Sequence, residues 1–176
     1  MSMKTIYQSL FHNDKVNVVH EQPSIFLLQG ILSIFMPKII IELGTGGGGM
    51  SLVFHEAVPG AEFYSFDISS RIFKADPALF KKNCIFERRN IFKDGEFLKS
   101  LLLRKERKFL YCDNGDKKRE IKMFAPLLNK GDLVGVHDFG MEIRNKDVVI
   151  LKDNFKPVGW DLFACRGLST RLWIKQ

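Results

Sequence analysis

Residues 39–56 read IIIELGTGGGGMSLVFHE. An apolar run meets a carboxylate at Glu42, five glycines fall within the six residues 44–49, and a helix-forming stretch follows. Apolar strand, glycine turn and helix is the layout of a nucleotide-binding loop, where backbone approaches a ligand more closely than side chains allow. Gly44, Gly46 and Gly49 satisfy GxGxxG, the dinucleotide spacing, and Gly44, Gly46 and Gly48 satisfy GxGxG equally well. The glycines therefore mark a binding loop and leave its nucleotide open.

Outward from this loop the chain alternates. Upstream, residues 22–36 show helical spacing and begin at Pro23, a residue suited to a first helical turn. Short apolar or alternating runs at 38–43, 61–69, 84–90, 107–113 and 133–139 read as five strands. Helical stretches lie between them at 49–57, at 75–83 beginning with Asp76-Pro77, at 94–105 with Asp94 near its start, and at 116–128 with Asp116 as N-cap. Residues 142–155 read as a further helix. The segments 159–165 and 169–175 flank Arg166-Gly167-Leu168 and read as an antiparallel hairpin. The expected fold is α/β and Rossmann-like: a mostly parallel seven-stranded sheet, helices on both faces, and a C-terminal antiparallel hairpin. One domain spans residues 1–176. Its core is 38–176, and 1–37 is an N-terminal helical segment whose first 22 residues carry no clear period.

Three features separate the two nucleotides. Glu42 stands inside the end of the first strand, where an anionic pyrophosphate would be repelled and an ammonium group held. The closing hairpin suits a methyltransferase sheet better than a dehydrogenase sheet. A chain of 176 residues leaves little room for a separate substrate domain. Asp67, at the end of the second strand, is common to both readings, since a carboxylate there accepts hydrogen bonds from ribose hydroxyls.

IIIELGTGGGG, FYSFDIS, RKFLYCD and LVGVHDF together resemble the class I S-adenosylmethionine-dependent methyltransferases. QPSIFLLQGIL, ELGTGGGGMS and LYCDNGDKKREIKMFAPLLNKGDLVGVHDF are similar to small O-methyltransferase-like proteins, including those labelled cephalosporin-hydroxylase-like. The resemblance runs from about residue 22 to the end. It implies that Gly44, Thr45, Gly46 and Gly48 pack against the amino-acid part and ribose of S-adenosylmethionine, that Asp67 takes the ribose diol, and that Ile68 lies against adenine. Family members often bond the adenine amino group with an acidic residue after the third strand; Asn90 stands at that position and its amide oxygen can accept the same bond. Asp113 closes the far side of the cofactor site.

In such folds ligands bind at the carboxyl ends of the strands. Asp113 ends the fourth strand and His137-Asp138 end the fifth, so all three are candidate catalytic residues facing one crevice. Two mechanisms fit. Asp113 and Asp138 hold a divalent metal ion such as magnesium that stabilises the substrate's ionised oxygen. Alternatively His137, with an ordinary pKa of ~6.5, serves as a general base without metal. Catechol O-methyltransferase-like enzymes carry an acid-amide pair after strand five. Here Asp138-Phe139 replaces it, so one expected ligand is missing. By the family's habit, residues 1–22 form a lid with Gln22 at its mouth. Nothing is assigned to His12, His20 or His55.

The formal net charge is +7, with basic clusters at Lys81-Lys82, Arg88-Arg89, Arg104-Lys105, Arg107-Lys108 and Lys117-Lys118-Arg119. They are dispersed and lack interleaved aromatics, so solvated helix ends describe them better than a nucleic-acid surface. The last cluster is the one to bind an acidic substrate, against a plain reading as exposed first-turn positions. Three cysteines, Cys84, Cys112 and Cys165, form no CxxC and suggest buried thiols rather than zinc or disulfides. No stretch approaches the ~20 apolar residues of a membrane span, and no signal-peptide pattern opens the chain. The expected protein is a cytoplasmic enzyme acting on a small-molecule hydroxyl, with a homodimer left open. A nicotinamide-dependent oxidoreductase and a non-catalytic cofactor-binding protein are the alternatives.

Overall fold

A computed structural model describes residues 5–8, 15–68, 77–80 and 82–176. Much of the expected lid, with His12, therefore lies outside the described residues, as do Ser69 of the second expected strand, the Asp76 start of the third expected helix, and Lys81.

The glycine loop is built as its sequence implies. Strand β3 (Ile39–Leu43) runs into the turn, and helix α2 (Gly49–Ala57) leaves it. Upstream lie β1 (Thr5–Gln8), β2 (Lys15–Val18) and α1 (Gln22–Phe35); downstream follow β4 (Glu62–Asp67), β5 (Cys84–Arg88), α3 (Glu96–Leu102), β6 (Lys108–Cys112), α4 (Lys117–Phe124), β7 (Leu133–Val136), β8 (Phe155–Val158), α5 (Trp160–Ala164) and β9 (Arg171–Lys175). The sheet has seven strands in the order β5-β4-β3-β6-β7-β9-β8. The five strands β5, β4, β3, β6 and β7 are parallel, and β9 pairs antiparallel with both β7 and β8.

Period-two alternation on β3 divides the core. Ile39, Ile41 and Leu43 pack with Leu98 and Leu102 of α3 and with Ile121 and Phe124 of α4. Ile40 packs on the other face with Leu28 and Leu32 of α1 and with Val53 and Phe54 of α2. Both sheet faces are covered, which is why the parallel strands read as continuous apolar runs. From β3 the chain winds outward to β5, then returns to place β6 on the other side of β3. The winding direction reverses between β3 and β6, and the carboxyl ends of these strands splay open there.

Four expectations change. In the described part of 75–83 a 3-10 turn, Pro77–Leu79, stands where a helix was expected. The N-terminal segment is not helical throughout: β1 and β2 form a separate antiparallel pair, with Thr5 opposite Val18, before α1 begins. Residues 142–155 form two short 3-10 turns, Asn145–Asp147 and Val149–Leu151, rather than one helix. Asp147 caps the backbone N–H of Arg144 at 3.0 Å, and the β-branched run Val148–Ile150 disfavours a longer helix. The hairpin is real, but its first strand is Phe155–Val158. Gly159, with φ of 61°, turns the chain into α5. Pro157 fits this edge strand because proline lacks the donor a central strand needs. All three cysteines are free: Cys112 is buried, Cys84 half-buried and Cys165 exposed. Among the described residues, no helix is long and apolar enough to cross a membrane.

Candidate active site

A cleft of about 470 Å3 opens at the carboxyl ends of β3, β4, β6 and β7. Its first wall is the glycine loop. Gly44, Thr45, Gly46, Gly47, Gly49 and Met50 line it, and Asp67 stands at its edge. Gly46 donates its backbone N–H to Asp67 Oδ2 at 2.9 Å, which ties the loop to the end of β4. A Cβ on Gly46 or Gly47 would meet nothing within 4 Å, so the loop backbone lies bare to the cleft. Gly44 is different. Its φ is 103°, and a Cβ there would stand 2.5 Å from the Asp113 carbonyl oxygen. This glycine lets β3 and β6 meet at the base of the cleft.

Glu42 is buried and does not line the cleft. Its Oε2 accepts hydrogen bonds from Ser51 of α2 and Ser65 of β4, both at 2.5 Å, and Ser65 contacts Thr45 Oγ1 at 2.6 Å. Burial pushes its carboxyl up to about 8, against the opposing effect of the two serines. The carboxylate thus reaches the loop through hydroxyls rather than directly.

The second wall carries ionisable groups. Burial alone would raise the Asp113 carboxyl, but hydrogen bonds from His137 and His20 outweigh it and bring it to about 2. His137 Nδ1 lies 3.1 Å from Asp113 Oδ1 and 3.4 Å from Asp138 Oδ1. Burial would lower this imidazole too; the two carboxylates prevail and raise it to about 9. His20 shows the opposite balance. Its Nε2 lies 3.3 Å from Asp113 Oδ2 and 2.9 Å from the Tyr111 hydroxyl, yet burial dominates and lowers its pKa. The two histidine rings stack with centroids 3.8 Å apart. One is held charged and the other neutral.

The cation between the acids is Lys117. Its ammonium lies 2.9 Å from Asp138 Oδ2, 2.9 Å from Glu142 Oε2 and 3.6 Å from Asp113 Oδ1. Burial would lower its pKa, but Asp138 and Glu142 outweigh that and hold it above the ordinary lysine value. Asp138 adopts a left-handed φ of 58°, which aspartate tolerates better than most residues. A divalent ion shared by Asp113 and Asp138 would have to displace the ammonium, so the residues present do not accommodate both. His20, Asp113 and His137 also bring donor atoms within 4.8 Å of one another. Imidazole lone pairs lie in the ring plane, however, and two rings stacked face to face cannot both aim at one ion.

The structure thus brings together Gly44, Thr45, Gly46, Asp67, Asp113, His137 and Asp138 in the cleft wall. Gly48 serves the turn behind it, with φ of 79° and its N–H on the Thr45 carbonyl. Ile68 is exposed outside the wall, and Asn90 also lies outside it, with its Oδ1 accepting the Phe92 N–H at 3.1 Å. Gln22 is not in the wall either, whereas Val18, Val19 and His20 are. Lys117, read as exposed or substrate-binding from sequence, is only 6% exposed, and Lys108 is fully buried against Asp132 at 2.8 Å. Asp116 is the N-cap expected of it, accepting from the Arg119 N–H at 3.2 Å. His20 is the functional candidate that sequence reasoning missed, and Lys117 was singled out there only with its basic cluster, not as a buried partner of Asp113, Asp138 and Glu142.

No protein-family model and no curated protein matches the sequence. Solved structures do share its fold. A structure of CmcI with Mg and SAM is 14% identical, covering 97% of this chain and 76% of that one with a TM-score of 0.70. A methyltransferase from Geobacter sulfurreducens is 13% identical over 89% of this chain and 80% of its own, with a TM-score of 0.62. An O-methyltransferase from Bacillus cereus in complex with SAH is 11% identical over 89% and 82%, with a TM-score of 0.57. The chain has the Rossmann-like fold of these methyltransferases.

Proposed function

We propose that the chain is an S-adenosylmethionine-dependent methyltransferase acting on a hydroxyl oxygen of a small molecule. One observation carries the reading. The bare glycine loop, tied to Asp67, and the Asp113–His137 pair open into the same cleft. Its volume lies within the ~300–1,000 Å3 usual for small-molecule sites. The fold neighbours that bind SAM or SAH support the choice of cofactor.

When bound, S-adenosylmethionine supplies a methyl group on a sulfonium sulfur, which keeps the carbon–sulfur electron pair on transfer. The protein's share is positioning and proton removal. The backbone of residues 44–47 leaves room for the cofactor's amino-acid and ribose parts, and Asp67 accepts from ribose hydroxyls. Asp113 holds Nδ1 of His137, so that in the neutral ring the lone pair is on Nε2. That nitrogen takes the proton from the acceptor hydroxyl as the oxygen lone pair bonds to the methyl carbon. The acceptor enters from a second cavity of about 390 Å3, which meets the cleft at Gly115 and Lys117.

Thermal-shift titration tests the reading. S-adenosylhomocysteine at 100-fold excess over its Kd stabilises a folded binder by ~2.7 kcal/mol. Stabilisation by NAD(H) and none by S-adenosylhomocysteine refutes the proposal.

A further inference from the structure

We propose that Lys117 is the resident cation of this site. Its ammonium gathers Asp113, Asp138 and Glu142, keeps a divalent metal ion out, and presents positive charge to the acceptor oxygen. The last part rests on the methyltransferase reading; the first two do not.

The placement of Lys117 is costly unless it serves the site. It is the first residue of α4, next to the N-cap Asp116, where the helix dipole disfavours positive charge. Its side chain is 6% exposed, so the ammonium has given up most of its water. Three carboxylates from three places offset both penalties: the end of β6, the turn after β7, and the loop that follows. A metal ion held by Asp113 and Asp138 would sit about 2.0–2.6 Å from their oxygens, in the space the ammonium fills. Lys117 also lines both the cleft and the adjoining cavity, so it borders both spaces of the site.

Fixed positive charge there suits the reaction. As the acceptor hydroxyl loses its proton, negative charge grows on oxygen, and a preorganised ammonium stabilises it without reorganisation. This is the service a metal ion would otherwise render.

Metal-stripped full-length protein is titrated with Mn2+, and the free ion is read by electron paramagnetic resonance. Wild type is expected to leave Mn2+ free. Lys117→Met is expected to bind one Mn2+ per chain at least about tenfold more tightly than wild type, because the three carboxylates lose the ammonium and only His137 remains beside Asp113 and Asp138 as a cation. Adding Asp138→Asn should abolish that gain. Lys117→Arg, which keeps the charge, should stay metal-free. Melting temperatures are read in parallel, so a destabilised Lys117→Met still reports: Mn2+ raises its melting temperature and leaves that of wild type unmoved. Stoichiometric Mn2+ on wild type that is lost in Asp138→Asn overturns the proposal, as does Lys117→Met that gains none. In turnover, EDTA should leave wild type unchanged, and Lys117→Met should lose at least about tenfold in kcat with cofactor KM held and partial recovery in Mn2+. Cofactor binding is measured separately by calorimetry with S-adenosylhomocysteine. No binding with Mn2+ still free refutes the methyltransferase reading alone. Binding together with stoichiometric Mn2+ on wild type refutes the lysine assignment alone.

Discussion

Replacing Glu42 by glutamine should stabilise the protein, and increasingly so at high pH. The carboxyl is fully buried beneath the glycine loop and pushed up to about 8 from an ordinary 4.5. In the unfolded chain it ionises near 4.5; in the fold it stays mostly neutral up to about 8. A group whose folded value is raised contributes stability below its unfolded value and loses it as pH climbs through its folded one. Three and a half pH units at about 1.36 kcal/mol each cap the loss at about 5 kcal/mol, of which roughly 4 falls between pH 5 and pH 9. Glutamine keeps the shape, can accept from Ser51 and Ser65, and cannot ionise. The assay is urea unfolding of both proteins at pH 5 and pH 9, followed by circular dichroism. The difference between them isolates Glu42, since every other titrating group is common to both. Stability curves that stay parallel across this range refute the buried, neutral carboxyl. The same substitution should weaken S-adenosylhomocysteine binding by about tenfold, because an ammonium held near the loop favours the ionised form of Glu42. Stability and affinity then move in opposite directions.

With His137 as base, kcat/KM of wild type should rise with pH to a limb near 9, the value at which the carboxylates hold its proton. His137→Ala should lower turnover by ~10^2–10^4 and remove the limb. Asp113→Asn takes away one of the groups that raise His137, so the limb should move toward neutrality; an unmoved limb refutes the pairing. Gly46→Val should leave the sheet intact by circular dichroism yet abolish cofactor binding in calorimetry, because its side chain would enter open cleft at a φ of 51°. Lys108→Met leaves Asp132 buried without its ion-pair partner and should cost about 3–5 kcal/mol in denaturant unfolding while cofactor affinity holds.

The parallel sheet was readable because its signals are local. Each buried strand is a short apolar run, and each is bounded by residues with strong positional meaning, such as Pro23, Asp116 and the glycines at 44–49. The terminal hairpin was misplaced because GWDLFAC has the composition of a strand, and only Gly159 in a left-handed turn diverts it into α5. The cleft wall followed from the rule that strand ends meet: Asp67, Asp113 and His137-Asp138 each end a strand. His20 had no such marker. It lies 93 residues before Asp113 and 117 before His137, and only the packing of β2 and α1 against α2 brings it there. Lys117 looked like an ordinary exposed helix start, because burial by Asp138 and Glu142 depends on the course of a loop that carries no period. Ile68 and Asn90 were placed by family resemblance alone, and neither is among the residues that line the cleft.

The close approach of Gly44 to the Asp113 carbonyl sets how the two walls of the cleft are held. Five paired positions join β3 to β6, and just beyond the last of them the backbone of Gly44 faces the Asp113 carbonyl with room for hydrogen alone. Any side chain at position 44 would wedge the ends of these two strands apart, and so would move the glycine loop and the Asp113–His137 pair relative to each other without touching a residue of either.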